Sequence, residues 1–268
     1  MGDGRLAAYR RVLGAVVRGR TQYRVSFAVD LASTVGFGLL DLLTVVVTFR
    51  VTRTLGGFTL PEVFLMTTLA STGFAVADMT VGNVERIREY VRSGLLDAIL
   101  VRPLGALPQL VVMDFTPRRV GRVLVYVALV PVAVRLNHVP VDPARAALLV
   151  VAPAAGAVLF GSVFVATATV AFWWIDSGEF ANSVTYGGRD FSGYPMDVYN
   201  GFFRRVFAYG LGYAFVGYYP VLAVLGRHDP LGAPDGVGWA APLVALAAAG
   251  IASLAWRRAI RHYRSTGS

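Results

Sequence analysis

The sequence predicts an all-α, polytopic integral membrane protein of six transmembrane helices, preceded by an amphipathic helix. Of its 268 residues 56% are hydrophobic and 15% charged, with a mean hydropathy of +0.59, where a soluble domain carries about 25% charged residues. Six apolar stretches approach the roughly 20 residues that cross a bilayer. All 25 basic residues are arginines, and most lie between those stretches. A water-soluble fold of this length could not cover so much apolar surface.

Taken in order, residues 1–24 predict a cytosolic connecting helix. Leu6, Tyr9, Leu13, Val16 and Val17 share one face while Arg11 and Arg18 point the other way. Such a helix lies in the inner headgroup layer with its arginines towards anionic lipid; the plainer alternative is a basic juxtamembrane tail. No cleavable leader is expected, because the first twenty residues lack an apolar core of 7–15 residues.

The membrane domain, 25–256, is expected to contain spans at 25–49, 63–81, 120–136, 146–175, 206–226 and 237–256. The fourth is long for one upright span, so tilt or a kink at Pro153 is expected. The fifth contains Pro220 after Tyr218 and Tyr219, so residues 220–238 read as a re-entrant segment, tolerated where protein buries it. A basic tail, 257–268, completes the chain.

Orientation follows from the arginines. With both termini cytosolic, twenty lie inside and five (Arg50, Arg53, Arg135, Arg145 and Arg227) outside, the asymmetry of a multi-pass plasma-membrane protein. Trp173, Trp174 and Trp256 then mark the inner interface, and Trp239, Tyr218 and Tyr219 the outer. The formal charge of +9 is accounted for in this way, so the expected surface partner is membrane lipid and not nucleic acid.

Several chemistries are excluded. There is no cysteine, hence no disulfide or thiolate metal site. A P-loop needs a lysine to reach the nucleotide phosphates, and the chain has none. His138, His228 and His262 fall on both sides of the membrane and predict no metal site. No nucleophile motif is present, so no catalytic residue is expected.

The residues that remain are polar groups in unusual places. Asp30 and Asp41 lie in the first span, eleven residues or about 16 Å apart on one face, with Thr34 between them. A charge in hydrocarbon costs about 2.5–3.5 kcal/mol on insertion scales, so this face looks at protein or water. It is either a polar wall of a translocation route or an interhelical contact. Asp78, near the inner end of the second span, reads as structural. In the fifth span Tyr209 and Tyr213, at i and i+4, offer an aromatic surface beside the small residues Gly210, Ala214 and Gly217; helix packing and contact with an apolar substrate are the two readings.

The connection at about 83–105 is too charged for lipid and too patterned for a slack loop. Glu85, Arg88, Glu89 and Arg92 sit at i,i+3 and i,i+4 spacings that support a short helix. Gly94 breaks it, a second short helix carries Asp97, and Arg102 before Pro103 ends that one. A docking element for a cytosolic partner and a solvated hairpin are the competing readings.

LGGFT at 55–59, YVRSGLLDAILVRPL at 90–104, FSGYPMDVY at 191–199 and the tail WRRAIRHYRSTGS, in this order, resemble the six-span permeases of the type-2 ABC exporter superfamily. More narrowly they are similar to bacterial ABC-2-like permeases. The resemblance implies a bacterial plasma-membrane subunit that dimerises with the same or a related chain over two cytosolic ABC ATPase subunits, which hold the ATP and Mg, so this chain needs no cofactor. It implies a coupling element at 85–102, a second ATPase-facing connection at about 176–205, and re-entrant helices between the fifth and sixth spans. The alternative function is a secondary transporter or channel subunit, which is expected to show repeated halves; no repeat is visible.

Overall fold

The computed structural model describes residues 24–102, 105–113, 119–174 and 176–263; of the expected connecting helix at 1–24 all but Arg24 lies outside these, and of the expected tail at 257–268 residues 257–262 form the end of the last helix while 264–268 lie outside the described residues. The described chain is helical, and its one β-type contact is a bridge between Leu55 and Phe58 in the turn after the first helix. The α-helices are α1 Arg24–Val51, α2 Leu60–Val81, α3 Ile87–Arg92, α4 Leu95–Leu100, α5 Ala106–Met113, α6 Arg119–Leu136, α7 Pro143–Thr169, α8 Gly178–Ser192, α9 Gly201–Phe203, α10 Tyr218–Leu225 and α11 Ala241–His262. Short 3-10 turns extend α2 and α7, and α9 continues as a π-helical segment, Arg204–Gly210.

Among the described residues three helical stretches are long and apolar enough to cross a membrane: Leu60–Arg92, Pro143–Phe172 and Val237–His262. A fourth is added if the pair Gly201–Gly210 and Tyr213–Leu225, bent by 63°, counts as one span. The apolar, multi-pass character expected from composition is therefore present in the helices.

Local chemistry explains the starts. The backbone N–H of Thr59 donates to Glu62 Oε2 at 2.7 Å ahead of α2, a capping box with Pro61 in the first turn. Asp142 caps α7 by accepting from the Arg145 N–H at 2.8 Å, with Pro143 as the first helical residue. Pro131 and Pro153 lie inside α6 and α7, as membrane helices tolerate when neighbours satisfy the freed carbonyls.

α2 and α7 form the centre. They run in parallel and approach closely where Gly73 meets Gly156; a Cβ on Gly73 would stand 3.1 Å from the Gly156 backbone. Small residues at that crossing let two helices gain dispersion contacts where lipid offers no hydrophobic drive. Below it Phe74 packs edge-on to Phe160 at 5.2 Å and to Tyr186 at 5.4 Å. α6 packs on the α1 and α2 side, and α11 on the far side of α7.

Two expectations are corrected. The fifth predicted span, 206–226, is not one helix: Gly212 at φ +79° breaks it after a π-helical turn. The stretch expected as a second ATPase-facing connection is mostly α8, a helix packed along the bundle beside α2 and α7. Its first residue lies against Arg88 beyond the end of α2, while the Gly193 carbonyl after its last residue accepts from Thr67 Oγ1 at 2.9 Å, about a third of the way along α2. Fifteen residues at 1.5 Å each give about 22 Å of rise, about two thirds of the length of the 22-residue α2. The stretch looked like a connection because GEFANSVTYGGRDFS is scarcely apolar.

Candidate functional site

Two charged layers define the Arg88 end of the bundle. The inner one is centred on Asp78, 3% exposed. Its carboxylate faces Arg119 at 3.2 Å and Arg122 at 3.3 Å, both from the start of α6. The Arg119 guanidinium also donates to the Asp78 carbonyl at 2.5 Å. This ties the first turn of α6 to the last turn of α2 and agrees with a structural role for Asp78. Glu85, about two turns on, accepts from the Tyr186 hydroxyl of α8 at 3.3 Å and is largely withdrawn from the surface.

The outer layer is the predicted docking element, and its two short helices fall where the spacing places them. Gly94 adopts the left-handed conformation between α3 and α4. The ion pairs differ from those expected within one helix. Arg86 Nε pairs with Glu89 at 3.0 Å. Arg92 reaches Asp176, and the Arg88 guanidinium packs on the backbone of Gly178. Arg88, Glu89, Arg92, Asp176 and Glu179 thus surround one polar hollow, joining the connection after α2 to the start of α8. Local spacing could not reveal this, because Asp176 lies 84 residues away. Asp97 lies in the first turn of α4, and Arg102 is exposed just past its end. The apolar turn 98–101 divides: Ile99 is buried, while Val101 and, on the other end of α4, Leu95 are exposed.

Of the proposed route residues, Tyr209 and Tyr213 have described side chains. α1 carries positions 30, 34 and 41, but the side chains of Asp30, Thr34 and Asp41 lie outside the described residues. Tyr209 is exposed on the π-helical segment, whereas Tyr213 is fully buried and its hydroxyl donates to the Val184 carbonyl at 2.9 Å. The break at Gly212 separates them, so the i,i+4 surface does not form, and Tyr213 belongs to the packing of α8 against Phe160.

The opposite end is closed by Arg227. Its guanidinium pairs with Glu62 at 2.7 Å and stacks 4.2 Å over the Phe58 ring. Asp229 takes the Tyr218 hydroxyl at 2.5 Å. Among the described residues no cluster of His, Cys, Asp and Glu is placed to hold a metal.

Residues 35–267 match the family model described as ABC-2 family transporter protein. No curated protein and no solved structure matches the chain.

Proposed function

The chain belongs to the ABC-2 family of transporter proteins, and on that premise we propose that it is the membrane-spanning permease subunit of an ATP-binding-cassette exporter. Membership makes it a membrane component of a transport system and not itself a catalytic enzyme. The proposed complex holds two such permease chains, identical or related, over two copies of a cytosolic ABC ATPase that binds ATP and Mg. The setting is a bacterial plasma membrane with both termini cytosolic.

Six crossings are proposed, with one changed from the sequence expectation. They are α1, α2, α6, α7, α8 and α11, and the bent pair Gly201–Gly210 and Tyr213–Leu225 is a re-entrant hairpin between the last two. Proline and glycine breaks suit such a hairpin, because protein and not lipid covers its irregular backbone. The coupling surface is α3 and α4 with Leu95, Val101, Glu89 and Arg102 outermost. The supporting observation is the Arg92–Asp176 bridge: a push on α3 and α4 reaches α2 directly and α8 through one ion pair. Asp30, Thr34 and Asp41 remain candidate route residues on α1.

The test is co-purification from membranes expressing the chain with its P-loop ATPase. Retention of the ATPase by the native chain, and its loss when Leu95 and Val101 are both changed to Asp, is the expected result. A chain that inserts normally and never retains an ATPase contradicts the proposal.

A further inference from the structure

α8 has the composition of a surface helix and the position of a transmembrane one. Thr185, Gly188, Phe191 and Ser192 are buried against the bundle, while Glu179, Ser183, Gly187 and Asp190 are exposed, with Phe180 exposed at the edge of the same face near the Arg88 end. Steps of four, four and three place these exposed positions on one face. The face ends deep in the membrane domain. Asp190 and Arg189 line a cavity of about 270 Å³ together with Thr44, Thr67, Ser71 and Tyr194, and Ser71 is close to the midpoint of the 22-residue α2. Arg189 lies 5.5 Å over the Phe74 ring with its Nε 3.9 Å from the Asp190 carboxylate, whose side chain is 71% exposed.

Lipid cannot be the neighbour of such a face. Hydrocarbon neither hydrates a carboxylate nor accepts from a serine, and ionisable groups at this depth look at water or protein. The aliphatic exposed surface lies on other helices, at Leu40 and Leu43 of α1, Leu124 of α6, Val150 of α7 and Leu243 and Leu246 of α11, while α8 exposes one large apolar side chain, Phe180.

We propose that the Glu179–Asp190 face of α8 lines an aqueous path from the Arg88 end into the middle of the membrane domain, and that the Thr44–Ser71–Asp190 cavity at its end receives a hydrophilic, hydrogen-bonding part of the cargo. This rests on the exporter reading and narrows it: the cargo carries a polar head group and is not a bare hydrocarbon. The wall is α8, not the Tyr209–Tyr213 surface.

The natural absence of cysteine makes a direct test simple. Single variants Ser183→Cys, Gly187→Cys and Asp190→Cys, with Thr185→Cys as the buried control, are treated in membrane vesicles with a charged, membrane-impermeant methanethiosulfonate and separately with a lipid-soluble maleimide. All three face positions are expected to react with the charged reagent at least about tenfold faster than position 185. Reaction with the lipid-soluble reagent alone places the face against lipid and overturns the inference. Spontaneous disulfides between two copies at positions 183 and 187 also overturn it, because the face is then a closed seam. ATPase retention is read on the same variants. An unreactive face on a chain that holds its ATPase refutes only this inference, and a reactive face without an ATPase refutes only the exporter reading.

Discussion

Replacing Asp78 with Ala isolates the energetics of the Arg88 end. The variant removes a carboxylate that is 3% exposed and leaves Arg119 and Arg122, with side chains 21% and 24% exposed, without the anion they share. Breaking a buried ion pair by deleting one partner costs about 3–5 kcal/mol, mostly from the charge left behind. Both arginines retain some water, which places the expected loss near the lower end, about 3 kcal/mol. At roughly 2–4 °C per kcal/mol for a chain of this order of size, the midpoint should fall by about 6–12 °C. The assay is thermal unfolding of detergent-purified protein followed by tryptophan emission. Asp78→Asn keeps an acceptor without the charge and should fall between the two. A drop of under about 2 °C for the alanine variant would show that the arginines find other partners and that Asp78 does not tie α6 to α2.

The other predictions concern the two ends and the path of α8. Gly56→Ala must hold φ +57° and place a Cβ 2.2 Å from the Asp197 carboxylate, so it should lose at least the roughly 1–2 kcal/mol of a left-handed residue, read as lower yield and a lower melting point. Arg227→Ala removes the Glu62 pair and the Phe58 stack and should cost about 1–2 kcal/mol in the same assay. Reversing Glu89 and Arg92 together changes exposed pairs worth about 0–1 kcal/mol each; the melting point should hold while ATPase retention falls, and unchanged retention would make the segment a mere hairpin. Reporters inserted near Asp142 and near Asp197 should report one side, and a reporter at the C-terminus the other. An opposite result at Asp197 would return α8 to the cytosolic connection.

The apolar helices were legible because periodicity was hardly needed: length and composition alone mark α2, α7 and α11, and the charge spacing with Gly94 marks α3 and α4. Capping chemistry at Thr59 and Asp142 was equally local. What escaped was set by distant partners. α8 is polar enough to pass for a connection, and its packing on Thr67 at one end and Arg88 at the other is what lays it along the bundle. The bent pair was read as a span because its apolar run is long enough, while Gly212 decides the fold there by allowing a positive φ. Tyr213 was placed on a surface by i,i+4 counting, which fails once the helix is broken. Pairing within 85–92 was read from spacing, yet Arg92 takes a partner brought by tertiary contact. The missing lysine, in contrast, is visible in the sequence itself: these 268 residues carry no Walker A motif.

The central claim is that this chain is a passive membrane path driven by a separate ATPase. Its most direct test is ATP hydrolysis and uphill transport in proteoliposomes holding the chain alone, the P-loop ATPase alone, and the two together. The account predicts no hydrolysis by the chain alone, and vanadate-sensitive hydrolysis with transport by the pair, both lost when the partner's P-loop lysine is replaced. Uphill transport by the chain alone under a proton gradient, indifferent to ATP and vanadate, would contradict it and establish a secondary transporter.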